Sequence, residues 1–146
     1  MNGVVPTYDL IFKIGKAGRT SESADMVTIL DIEGLTPTID GGVQEWNPMD
    51  QHGWVRRLLT SKSFSLSLTG KRNYGDPGND YVAGLSFKSG QSVNTKFEIE
   101  FPNGDTLSFN CVVNVTTPFG GDSTAPNSLE FEVLSDGEPV YTAVAE

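Results

Sequence analysis

Phe97-Glu98-Ile99-Glu100-Phe101-Pro102-Asn103-Gly104-Asp105-Thr106-Leu107-Ser108-Phe109-Asn110-Cys111 alternates apolar and polar residues on either side of an Asn-Gly pair. In an extended chain successive side chains point to opposite faces, so each arm offers one side to a core and the other to water. Asn103-Gly104 between two such arms is a strong short-range signal for a hairpin, because glycine tolerates the positive φ of a tight reversal. The second arm keeps its phase through Val113 and Val115, which predicts a long strand.

Working outward, Phe64-Ser65-Leu66-Ser67-Leu68-Thr69 and Leu129-Glu130-Phe131-Glu132-Val133 alternate in the same way. Asp9 to Ile14 and Met26 to Ile32 predict two more strands, with the polar loop Gly15 to Asp25 between them. One helix interrupts the pattern. Asp76 suits an N-cap, Pro77 the first helical position and Asp80 the positive first turn. Tyr81, Val82 and Leu85 form its packing face, and Lys88 followed by Gly90 predicts its end. The expectation is a mainly β domain, an antiparallel sandwich or open barrel of about six to eight strands with one flanking helix.

The chain has 146 residues, a length that suits one domain with its own core. Its single cysteine, Cys111, permits no disulfide within the chain. Met1-Asn2-Gly3-Val4-Val5-Pro6 lacks the basic and apolar parts of a signal peptide. No stretch reaches the roughly 20 apolar residues of a membrane span. These features predict a soluble protein that stays where it is made.

Charge is unevenly spread. Residues 1–96 hold ten Lys/Arg and ten Asp/Glu, whereas residues 97–146 hold nine acids and no base, so the net −9 belongs to the last third. A grip on nucleic acid needs clustered cations, and this distribution offers none there. Glu98, Glu100, Glu130 and Glu132 admit two readings. They are either the solvated faces of ordinary strands, or four acids crowded on one surface of neighbouring strands, where like charges oppose one another.

Catalytic and metal chemistry finds no constellation. His52 is the only histidine, so every Ser–His–Asp or Cys–His arrangement would have to use it. Cys111, between Phe109 and Val113, reads as a small buried hydrophobe. Asp76-Pro77-Gly78-Asn79-Asp80 lacks the alternating ligands and distal glutamate of a calcium loop. An acidic pair such as Asp31 and Glu33 has no nearby histidine to support hydrolysis. No catalytic residue, metal site or cofactor is expected.

Ile39 to Lys62 shows no period, and carries Trp46, Met49, His52, Trp54, Arg56 and Arg57. Long loops without regular structure are usually functional or disordered, and Trp, Met and Arg are the side chains enriched in binding surfaces. Either these tryptophans fold back into the core, or the segment with Trp46, Trp54, Arg56 and Arg57 is a binding surface.

Several strings in one order resemble the major tail tube proteins of long-tailed phages and prophages. They are Glu45-Trp46-Asn47-Pro48-Met49-Asp50, Gly53-Trp54-Val55-Arg56-Arg57-Leu58, Gly70-Lys71-Arg72-Asn73-Tyr74-Gly75-Asp76, Gly78-Asn79-Asp80-Tyr81-Val82-Ala83-Gly84-Leu85 and, later, Phe109 to Thr116, Gly120 to Ser123 and Leu129 to Gly137. The resemblance spans nearly everything after Ile32. It implies a non-enzymatic virion protein, a single tail-tube domain over residues 1–146, which assembles into stacked hexameric rings. Residues 1–8 and 137–146 would be terminal arms, and residues 39–62 a loop reaching another subunit. Glu98, Glu100, Glu130 and Glu132 would line the lumen, through which DNA passes without specific binding. The implied partners are further copies of the chain, a tape-measure protein, and tail terminator and baseplate proteins, with no membrane contact. Assembly would take place in the bacterial host cytoplasm. Tubes of bacterial secretion needles share the family, and a carbohydrate- or receptor-binding β-sandwich is the alternative of another class.

Overall fold

The computed structural model describes residues 3–144. Strands β1 (Ile11–Gly15) and β2 (Met26–Thr28) are followed by two long ones, β3 (Ile32–Trp46) and β4 (Arg56–Lys71). Helix α1 (Pro77–Gly84) precedes β5 (Asn94–Glu100), β6 (Thr106–Thr117), β7 (Ser128–Ser135) and β8 (Val140–Thr142). Seven strands form one antiparallel sheet in the order β2-β1-β5-β6-β7-β4-β3, and β8 pairs with the first residues of β6. The expected hairpin is β5–β6, with Gly104 at φ +96° and the Asp105 amide donating to the Asn103 side chain.

The sheet cannot lie flat. β2 and β3 stand at its opposite ends, yet Ile29-Leu30-Asp31 alone joins them. Four peptide steps reach at most about 14 Å, so the sheet must roll until its first and last strands approach. The result is an open barrel. Its inside takes the apolar half of each alternation: Phe12 and Ile14, Leu66 and Leu68, Phe97 and Ile99, Phe109, Cys111 and Val113, and Leu129, Phe131 and Val133 are all buried. Phe109 meets Phe97 at 5.8 Å between ring centroids and the edge of Phe64 at 5.4 Å, spanning β4 to β5 across the interior. Each such side chain contributes roughly 1.5–3 kcal/mol through burial.

Helix α1 plugs the seam between β2 and β3. The Asp76 side chain caps it by accepting from the Asn79 amide at 3.0 Å, and accepts from the Leu30 amide at 3.1 Å. Asn79 is fully buried and uses its whole amide: its nitrogen donates to the Leu30 and Lys71 carbonyls, and its oxygen accepts from the Asn73 amide and Arg72. Gly78 is required at this contact, since a Cβ would lie 2.4 Å from the Thr28 carbonyl oxygen. The helix ends sooner than Lys88 and Gly90 suggest. The Leu85 amide bonds back to Val82 and the Ser86 hydroxyl donates to the Ala83 carbonyl, which tightens the last turn and consumes the carbonyls a further turn would need.

The aperiodic segment Ile39 to Lys62 is a correction. It is the outer half of the β3–β4 hairpin, and only Asn47 to Val55 lie between the strands. Both faces of this ribbon are solvent-exposed, so no core imposes alternation. A bulge between Gly42 and Val43 also shifts the phase. In the expected carboxy-terminal arm, Val140–Thr142 is strand β8; residues 1–2 and 145–146 of the two arms lie outside the described residues.

Candidate functional site

The β3–β4 hairpin leaves the barrel because β4 pairs with β7 only along Ser65–Lys71. Beyond that point β3 and β4 have only each other, and Ile39–Trp46 extends the ribbon by about 25 Å at strand rise. Trp46 lies opposite Arg56 in the register, with the guanidinium 5.6 Å from the indole centroid. Glu45 and Arg57, the next pair, face the other side and join at 2.8 Å. Trp46, Arg56 and Arg57 thus come together on one ribbon, and Trp54 stands apart in the turn.

Neither tryptophan is core. Trp46 is 40 % and Trp54 77 % exposed, and Ile39, Val43, Leu58, Leu59 and Met49 are exposed beside them. The turn is shaped by His52 and Gly53, both at positive φ, and by the Asn47 side-chain amide donating to the Gly53 carbonyl. β3 also forms one edge of the sheet among the described residues. Pro37, which has no N–H to donate, sits in that edge strand.

The four glutamates share the outward side of the sheet but do not crowd one another. β6 lies between β5 and β7, so the two strands are not neighbours. Glu98 pairs with Ser108 and Glu132 with Asn114, six residues along β6 and therefore about 20 Å apart in that direction. Their surroundings also differ. Glu98 and Glu100 lie in a trough with Lys13 and Lys96; Lys13 donates to Glu100 at 2.7 Å, and this bond raises the lysine pKa. The bases missing from the last third of the sequence arrive here from β1 and the head of β5.

Glu130 and Glu132 belong to a different surface. One row of the ladder runs Thr36, Ser67, Glu132, Asn114 across four strands, and all four side chains are exposed. Ser61, Ser63, Ser65 and Thr69 continue the hydroxyls along β4. On this part of the sheet the base sharing the face is Lys71, and it is bound to Glu33 at 2.7 Å. Asp40 adds another carboxylate. The surface is small, hydroxylated and negative.

Other polar groups are spent on structure. Asp31 accepts from Asn73 and Glu33 from Lys71, so the acidic pair is divided between two partners. Asp105 accepts from the Tyr141 hydroxyl and the Val144 amide, anchoring β8; the first bond dominates in holding its carboxyl below the ordinary range and raises the Tyr141 pKa. Cys111 is fully buried, and burial pushes its thiol up to about 12. Among the described residues no three His, Cys, Asp or Glu side chains approach closely enough to hold a metal ion. No helix of the described residues is long and apolar enough to cross a membrane.

Sequence reasoning missed Tyr74, Phe87 and Phe119, three exposed aromatic residues around one hollow. Each sits in a connection: Tyr74 before Gly75, Phe87 between α1 and Gly90, and Phe119 between Pro118 and Gly120. Such positions carry no periodicity; only the presence of an aromatic ring inside a turn signal marks them.

No protein-family model and no curated protein matches the sequence. The fold, however, is shared with solved assemblies. A chain in the tail of an empty gene transfer agent particle, determined by helical refinement with C6 symmetry, superposes at TM-score 0.74 and 19 % identity, covering 96 % of this chain and 100 % of that one. A chain of the extended sheath–tube complex of an extracellular contractile injection system matches at TM-score 0.65 and 15 % identity over 99 % and 95 % of the two chains. A chain of the tube-terminating cap of an anti-feeding prophage matches at 0.63 and 13 %, over 98 % and 94 %.

Proposed function

We propose that this chain is the structural subunit of a hollow tube of the phage-tail kind, assembled from hexameric rings that stack, and that it has no catalytic role. The projecting hairpin carries this reading. A ribbon that exposes two tryptophans, Met49 and four aliphatic side chains has no partner within one copy, and exposed apolar surface of that extent marks an interaction site. The fold shared with a C6-symmetric tail and with injection-system tube assemblies supports a second copy as the partner. Six copies around an axis would give the long edge of β3 a neighbour, and stacked rings form a filament because each contact is heterologous. Trp46, Trp54, Arg56 and Arg57 then act at an inter-subunit contact. A tape-measure protein, terminator and baseplate as partners, and assembly in the host cytoplasm, belong to the same reading.

The hydroxylated face of β3, β4 and β7 suits the lumen. Glu130, Glu132 and Asp40 repel phosphate, and short hydroxyl side chains offer no cations whose counterions DNA could displace. Glu100, paired with Lys13, and Glu98, in the same trough as Lys13 and Lys96, fit less well there than the sequence suggests.

Electron microscopy of the purified protein at high concentration, with and without the hairpin end, tests the proposal. Replacing Val43–Thr60 by Asn-Gly joins the paired Gly42 and Ser61 with a two-residue turn. The intact chain is expected to form rings and tubes. The shortened one should keep its circular dichroism and cooperative unfolding yet remain monomeric. Tubes from the shortened chain, or only discrete particles from the intact one, would refute it; the latter is what a carbohydrate-binding module would give.

A further inference from the structure

The aromatic hollow lies at the opposite end of β4 from the hairpin turn. Tyr74 follows the end of β4, Phe87 follows α1 and Phe119 follows β6, and together they ring a hollow of about 500 Å³ floored by Ala83 and Gly84. Phe87 is 90 % exposed. Nothing in the hollow is free to bind an ionic ligand strongly: the Arg72 guanidinium is bonded to Asn79 and Asp80 and stacks 4.3 Å from the Tyr74 centroid. That stacking holds the ring in place. The site is therefore an aromatic cup with one ring fixed, fitted to an apolar knob.

The same molecule carries such a knob. Met49 is 97 % exposed at the hairpin turn, with Trp54 beside it. β4 runs from Arg56, next to the turn, to Lys71, next to the cup, and its 16 residues span about 50 Å. Knob and cup thus mark the two ends of one strand. Identical units displaced along that direction bring the knob of one to the cup of the next, a heterologous contact that repeats without closing. The charges agree as well. Asp50 adjoins Met49, Lys88 adjoins Phe87, and neither has an ion-pair partner among the described residues.

We propose that the Tyr74–Phe87–Phe119 cup receives the hairpin turn of an axially adjacent copy, with Met49 and Trp54 against the rings and Asp50 facing Lys88. The proposal rests on the tube reading and adds the receptor that the hairpin requires.

Cysteine cross-linking tests it, since Cys111 is buried and supplies no background. Met49→Cys and Phe87→Cys proteins are assembled separately, as a mixture, and as the double variant, then oxidised and run without reductant while grids are taken from the same samples. Disulfide-linked dimers are expected from the mixture only, and a polymeric ladder from the double variant. Tubes on the grid without a dimer or ladder, for this pair and for Trp54→Cys with Phe119→Cys, would overturn the proposal and leave the tube standing. Failure of the unmodified chain to form tubes would remove both. Should the cysteines themselves block assembly, charge reversal decides: Asp50→Lys and Lys88→Glu each raise the concentration needed for half assembly several-fold, and together they return it toward the original. A double variant no better than the worse single one would be equally fatal.

Discussion

Replacing Asn79 by alanine should unfasten the seam of the barrel. The side chain is fully buried and makes four hydrogen bonds: 2.9 Å to the Lys71 carbonyl, 3.2 Å to the Leu30 carbonyl, 2.9 Å from the Asn73 amide and 3.0 Å from Arg72. At a net 0.5–1.5 kcal/mol for each bond, the loss is about 2–6 kcal/mol. That is a large share of the 5–15 kcal/mol by which domains are typically stable. Urea unfolding followed by far-ultraviolet circular dichroism is the assay; tryptophan fluorescence is unsuitable because both tryptophans stand on the hairpin, away from the core. With a slope near 1.5 kcal/mol per molar, a loss of 3 kcal/mol moves the midpoint down by about 2 M. Asp76→Ala, which removes the helix cap and the partner of the Leu30 amide, should cost about 1–2 kcal/mol. An Asn79→Ala midpoint within about 0.3 M of the parent, at unchanged slope, would show that α1 does not hold β2 against β3 and refute the account of the seam.

Cys111, with its thiol pushed up to about 12 by burial, should react with a thiol reagent only in denaturant; rapid labelling of the folded chain would contradict its place in the core. Asp105, held below its ordinary range by Tyr141, should stabilise β8 fully above about pH 4 and lose that effect as pH falls through its lower folded value. Tyr141 behaves in the opposite sense, stabilising below about pH 10 and losing the effect as pH rises through its raised value. The protection of the Tyr141 amide, its exchange rate taken relative to the intrinsic rate at each pH, should therefore fall on both sides, and an Asp105→Asn chain that follows the same pH profile would sink the explanation. Glu130→Lys with Glu132→Lys should leave tubes intact and slow DNA passage, whereas Glu98→Lys with Glu100→Lys, beside Lys13 and Lys96, should act on folding or assembly; equal effects of the two pairs on passage would disprove the assignment of the wall.

The barrel was legible wherever a strand has one wet and one dry face. Phe64 to Thr69, Phe97 to Cys111 and Leu129 to Val133 show their period because the core enforces it, and Asp76-Pro77 marked the start of α1 through cap chemistry alone. The hairpin was not legible, because Ile39 to Trp46 and Arg56 to Ser63 are exposed on both faces and a bulge breaks their register. A ribbon that packs on no core has no reason to alternate. Of the two readings that the tryptophans allow, the structure excludes the core one, since both side chains are exposed.

The acidic last third shows how composition along the chain and charge in space part company. Counting residues 97–146 suggests a carboxylate wall with no opposing base, yet an antiparallel sheet sets β1 beside β5, and Lys13 closes on Glu100 at 2.7 Å. Arg19 likewise reaches Asp136 at 2.6 Å. On the hydroxylated face of β3, β4 and β7 the carboxylates without an ion-pair partner among the described residues are Asp40, Glu130 and Glu132. As the lumen wall we propose, such a face would repel phosphate weakly at any one point and offer no unpaired cation to hold it. For a polyanion that must move along a surface rather than stay on it, absence of attachment matters more than strength of repulsion, because each released counterion would add to the hold.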